Sequence, residues 1–158
     1  MTETIHGQVA ELARGTYPEH VERDGYYKYY DFENAIEISR DGNSQWAYRQ
    51  GARDAWQLIA TSNCLLGVEL VMLLDVGGLW RTQEGKTLLT QGTHPRPDVT
   101  LEQHESLRWS VTWTGPSGLI VVSGLNRVTS DWLRSVAGHD LDELVASYRE
   151  PQGAPLFS

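Results

Sequence analysis

Cysteine occurs once, at Cys64. No internal disulfide can form, and nothing in the sequence marks an oxidising compartment. Lying beside an apolar run, the thiol is expected to be a small buried hydrophobe, and no His is placed near enough in sequence to activate it. Phenylalanine is almost as scarce, at two residues. An excess of positive charge is also missing. The net charge is −8, which argues against nucleic acid and anionic membranes, since both select a basic surface. No stretch reaches the roughly 18 apolar residues of a membrane-spanning helix. The first residues, Met1-Thr2-Glu3-Thr4, have neither the basic nor the apolar segment of a secretory signal. The expected compartment is therefore the cytoplasm.

Chemical motifs are absent as well. His6, His20, His94, His104 and His139 are dispersed, with no His-x-x-x-His or Cys-x-x-Cys spacing, so no metal is expected. There is no Gly-x-Ser-x-Gly elbow; Gly115-Pro116-Ser117-Gly118 reads as a hairpin turn. No glycine-rich phosphate loop occurs, and no cofactor is expected.

What is present is a chain of 158 residues, 40% hydrophobic and 22% charged. That composition suits one globular domain, read as residues 1–150, with a loose tail over 151–158. Six Trp and seven Tyr are many for this length. Such side chains have an apolar body and a polar tip, and they serve interfaces as well as half-buried sheets.

The most apolar stretch runs from Leu65 to Val76. Read with a period of two, Leu66, Val68, Leu70, Met72, Leu74 and Val76 form one apolar face, which predicts a strand. Its Leu, Met and Glu content favours a helix. Gly67 and the lack of a polar stripe weigh against one.

Around this run the expected elements follow in order. Ile5, Val9, Leu12 and Ala13 share one helical face, predicting a helix over 3–14. Residues 26–32 are a β-prone aromatic run. Asp41-Gly42-Asn43 between 35–39 and 45–49 signals a hairpin. Residues 51–62 fit either helix or strand. Residues 79–82 and 86–90 around Gln83-Glu84-Gly85 read as another hairpin, and 91–106 as the longest loop. A third hairpin pairs 107–113 with 119–123. Trp132, Leu133 and Val136 suggest a short helical segment. Asp140 with Glu143 forms a capping box that opens a helix over 141–148, and Pro151 stops it. The whole reads as α+β: a single domain with a strongly curved antiparallel sheet of about six to eight strands in hairpin order, an N-terminal and a C-terminal helix packed on it.

Glu69, inside the apolar run, and Asp75, at its end, are the candidate acid–base groups. On a strand they lie about 20 Å apart, too far for a carboxylate dyad. Each would work alone, with His104 or Arg108 as partner. Alternatively, Glu69 is simply paired with a cation such as Arg81 or Arg108. Tyr27, Tyr29, Trp46, Tyr48, Trp109 and Trp113 all fall on strand segments and are the candidate binding residues; the same pattern fits core packing. The expected function is a non-catalytic intracellular binding or accessory protein that recognises a protein partner through an aromatic, acid-rimmed sheet surface; the negative charge would suit a basic partner. A homodimer is one form such an interface takes. The alternative is a small enzyme or carrier holding an apolar molecule within the curved sheet.

Overall fold

The computed structural model describes residues 4–42, 45–52, 55–86 and 96–150. The first helix, α1 (Gly7–Thr16), is capped by the His6 side chain, which accepts from the Gln8 N–H. It buries Val9, Ala10, Leu12 and Ala13, the stripe that the spacing predicts. Five antiparallel strands follow: β1 (Glu19–Arg23), β2 (Tyr26–Tyr30), β3 (Asn34–Asp41), β4 (Gln45–Ala52) and β5 (Ala55–Ser62). The ambiguous stretch 51–62 thus ends β4 and forms β5. Of its expected hairpin turn at 41–43, Asn43 lies outside the described residues.

The run from Leu65 is not a strand. It opens α2 (Leu65–Gln83), which also absorbs the first arm of the hairpin expected over 79–90. The second arm, at 87–90, lies outside the described residues. The alternation misled because α2 is buried on nearly every side. Contacts with α1, four neighbouring strands and the later helices surround it, so almost every position can be apolar and no polar stripe remains. Its length favours a helix, since strands seldom exceed about ten residues. The glycines mark close approaches. A Cβ on Gly67 would stand 2.2 Å from Ser62 Oγ, and one on Gly77 would stand 2.5 Å from the Tyr148 ring.

Three further strands complete the sheet: β6 (Thr100–Gln103), β7 (Trp109–Gly115) and β8 (Gly118–Leu125). β6 falls within the segment read as a loop; residues 91–95 of that segment lie outside the described residues. Two helices close the described chain. α3 (Arg127–Val136) is capped by Asn126, and α4 (Leu141–Arg149) by Asp140. The Asp140 side chain accepts from Asp142 N–H. The tail at 151–158, with Pro151, is outside the described residues.

The sheet order is β1-β2-β3-β4-β5-β8-β7-β6, antiparallel throughout. This is the α+β fold expected, an eight-stranded antiparallel sheet with N- and C-terminal helices. No helix is long and apolar enough to cross a membrane among the described residues. The core lies between the sheet and α2, where Tyr29, Ile38, Trp46, Tyr48, Val122 and Trp113 are buried with Val68, Val71 and Met72.

One irregularity decides what the other face displays. Along β4–β5, Tyr48 pairs with Ala60 while Arg49 pairs with Leu58, so the register slips by one residue. Such a bulge reverses the facing of everything beyond it. Ala60 and Ser62 point into the core, whereas Trp56 and Leu58, four and two places before Ala60 in the same alternation, point out. Trp56 lies over Gly51, its cross-strand partner, whose missing Cβ would sit 2.9 Å from the indole ring.

Candidate binding surface

Of the six aromatics expected to bind, five are core residues. Tyr27, Tyr29, Trp46, Tyr48 and Trp113 are buried beneath the helices. Their pleat is the one the helices cover, which is core packing, the other reading of the same pattern. Their polar tips find partners inside the fold: Tyr29 Oη donates to Glu22 at 2.8 Å, and Tyr27 Oη accepts from the Ile5 N–H at 3.3 Å. Trp109 is half-buried, with the Arg127 guanidinium 4.4 Å from its ring centroid.

The four candidate acid–base residues do not converge. Glu69 is buried on α2 and accepts from the His6 backbone N–H. Asp75 lies elsewhere on α2 and accepts from Tyr48 Oη at 2.8 Å and Gln50 Nε2 at 2.6 Å. His104 ends the β6 side of the β6–β7 turn, its Nε2 2.9 Å from Ser110 Oγ. Arg108 is exposed in that turn. Arg81, offered as a partner for Glu69, is about three turns further along the same helix and donates to carbonyls of α4. Among the described residues no cluster of His, Cys, Asp and Glu is arranged to hold a metal.

The open face of the sheet carries the aromatics of the other pleat. Tyr26 Oη donates to Glu37 at 2.8 Å. The Lys28 ammonium stands 4.8 Å from the Tyr30 ring and 5.7 Å from the Trp56 ring. Arg49 donates to Ser39 and Asp41, both at 2.9 Å. Trp56 is 45% exposed and Leu58 50%.

At the end of these strands, beside the β2–β3 and β4–β5 connections, lies an open cleft of about 780 Å³. Asp31, Asn34, Gln50, Trp56, Gln57 and Asp75 contribute to its walls, together with Leu79 and Gln83 of α2. Phe32, in the β2–β3 turn at this end, is 93% exposed. Asp31 Oδ1 fixes that turn by accepting from the Glu33 and Asn34 N–H groups. Neither Lys nor Arg occurs among the described lining residues.

The charged side chains of the described lining are thus the two carboxylates, Asp31 and Asp75. Burial pushes the Asp75 carboxyl above its ordinary value, against the hydrogen bonds from Tyr48 and Gln50 that favour the charge. The Tyr17 phenol is pushed up to about 12 by burial and then by the charges of Asp75 and Asp31. Both carboxylates thus act on one hydroxyl. A group whose folded pKa is raised adds stability below its unfolded pKa and loses that contribution as pH rises through the folded pKa. Asp75→Asn should therefore raise stability by about 1 kcal/mol near neutrality and converge with the natural chain in acid. Both bonds reach the same oxygen, Oδ2, so one amide carbonyl can accept both. Urea unfolding at neutral and acid pH measures the difference.

Neither Trp56, Leu58 nor the cleft was found from the sequence, because the bulge is invisible to a strict alternation. The one available signal was Gly51 ahead of Trp56: an isolated strand glycine often marks a close approach.

No protein-family model matches the chain, and a search of curated proteins finds no match. Among solved structures the chain is similar to Rv3902c from M. tuberculosis, with a TM-score of 0.75 and 15% sequence identity over 99% of this chain and 98% of that one. At that identity the likeness shows the fold alone, from the first helix to the last.

Proposed function

We propose that this is a non-catalytic binding protein that recognises a basic protein partner through the open end of its sheet. The observation that carries the reading is the grouping of exposed Phe32, Trp56 and Leu58 beside a cleft walled by Asp31 and Asp75. Large apolar side chains held at a rim supply contact area with little entropy to lose. The acidic cleft and the net charge of −8 favour and steer a basic partner. The same reading has the protein act inside the cell, as its cysteine content allows.

The test compares variants. Immobilised natural chain should retain one basic protein stoichiometrically from native lysate of the source organism. Trp56→Ala should lose it, weakening binding by about 2 kcal/mol or more as a hot spot, while stability changes by no more than about 0.5 kcal/mol. Leu119→Ala, also exposed but near the β7–β8 turn, should retain it. A partner held equally by all three chains, or one that is acidic, would refute the proposal. A second reading, a small-molecule carrier, draws on the cleft volume, which falls within the range of ligand sites. Its open, amide-rich wall suits a macromolecule better.

A further inference from the structure

We infer that the edge strand β1 pairs with β1 of a second copy, giving a two-fold symmetric dimer in which the two sheets run on as one. The inference does not depend on the basic partner, since no β1 residue is among the described residues that line the cleft. β1 ends the sheet, and all five of its residues are exposed. It contains no proline and pairs with β2 without a bulge, so nothing in its backbone blocks a further strand.

The hydrogen bonding decides which groups are available. A two-residue turn, Asp24-Gly25, joins β1 to β2, so the flanking residues Arg23 and Tyr26 exchange both backbone bonds. Bonded and non-bonded pairs alternate along an antiparallel ladder. Val21 and Glu19 therefore also bond to β2, and the N–H and C=O groups of His20 and Glu22 point to the open edge. An antiparallel second copy must set these two residues against their counterparts, which three registers do. Centred on Glu22, two carboxylates face each other. Centred on His20, Glu22 falls opposite Pro18 and Arg23 passes the end of the strand. Centred on Val21, all five residues pair. Glu19 then faces Arg23 and His20 faces Glu22, each twice across the axis, and Val21 faces itself. The register that satisfies the backbone is also the one that satisfies the charges.

Glu19 and Arg23 are the deciding pair. They share the open pleat, opposite Tyr30 and Tyr26, and about 13 Å of strand separates them within one chain. Among the described residues neither enters an ion pair. The Arg23 guanidinium lies 4.7 Å from the Tyr26 ring centroid. Glu22, by contrast, already accepts from Arg14 at 2.7 Å and from Tyr29 Oη at 2.8 Å, and His20 Nε2 is 3.5 Å from it in the same chain. The opposite edge, β6, has Glu102 as its one charged residue, so no register of β6 against itself joins opposite charges. Joining β1 to β6 would run on as a filament instead of closing.

Sedimentation equilibrium of the full chain from about 1 to 500 μM should show reversible dimerisation, with a dissociation constant on the order of 10–100 μM for so small an interface. Glu19→Arg and Arg23→Glu each set like charges together twice and should weaken the dimer at least about tenfold. Glu19→Arg also lowers the net negative charge, so general repulsion alone would instead strengthen association. Mixed in equal amounts, the two variants regain both opposite pairs, because one chain supplies two arginines and the other two glutamates. The mixture should form a heterodimer within about threefold of the natural affinity. No contact within a single chain produces that recovery. Amide exchange on the natural chain gives a readout free of mutation: the His20 and Glu22 N–H groups should gain protection as concentration rises, and those of β6 should not. A chain that stays monomeric across the range, a dimer indifferent to either reversal, a mixture without heterodimer, or a dimer that leaves His20 and Glu22 unprotected would each overturn the inference.

Discussion

Trp46→Ala is expected to destabilise the fold by about 3–5 kcal/mol, whereas Trp56→Ala should cost no more than about 0.5 kcal/mol. The two tryptophans sit on adjacent strands, and the sequence around each alternates in the same way. Trp46 is 1% exposed, packed in the core beneath the helices, with the Arg40 guanidinium 5.1 Å from its ring centroid at the edge. Its removal leaves a large cavity that α2 cannot fill without moving off the sheet. Trp56 is 45% exposed, and its truncation uncovers Gly51 and leaves Lys28 on the open face without this ring. Urea unfolding of the two variants measures both values. Binding should divide them the other way: Trp56→Ala folds and loses the partner, while any loss in Trp46→Ala follows its unfolding. Equal destabilisation by the two would mean that the β5 bulge does not turn Trp56 outward.

This pair shows where sequence reasoning reached and where it stopped. Alternation identified most of the strands correctly, and Asp41-Gly42 marked the β3–β4 hairpin. Which of two aromatic faces would be covered depends on where α2 lies, and α2 itself was misread. In Tyr26–Tyr30 every residue but Lys28 is aromatic, so both pleats look equally apolar. Tyr27 and Tyr29 went under the helices, and Tyr26 and Tyr30 stayed out. Lys28, flanked by two tyrosines on each side, was the available clue, because a lysine ammonium rarely goes into a core. Its pleat is the open one. The cleft was illegible for a different reason. Asp31, Asp75 and Trp56 come from three separate elements, and only the sheet register and the packing of α2 bring them together. Asp75 alone was singled out, for its place at the end of the apolar run.

Arg81→Met is expected to be comparably damaging, at about 3–5 kcal/mol. Arg81 is 0% exposed. Its Nη1 donates to the carbonyls of Tyr148 at 2.8 Å and Glu150 at 2.7 Å. These carbonyls belong to the last turn of α4 and to its C-cap, where the helix leaves its acceptors unpaired and its dipole is negative. Lys86 adds a second cation there, donating to Arg149 O at 2.7 Å. The end of α2 thus caps the end of α4, beside the point where Gly77 admits the Tyr148 ring. Methionine fills much of the volume but donates nothing, so two carbonyls lose a donor they cannot replace in a dry interface. Arg81→Lys should fall between, since an ammonium keeps the charge and loses the fork. Thermal unfolding should show Arg81→Met lowered by about 10 °C for a chain of this size. Hydrogen exchange should locate the damage in α4, with the amides of β2–β4 protected until global unfolding. A loss below about 1 kcal/mol, as for an exposed pair, would mean that α4 holds its place by apolar packing alone.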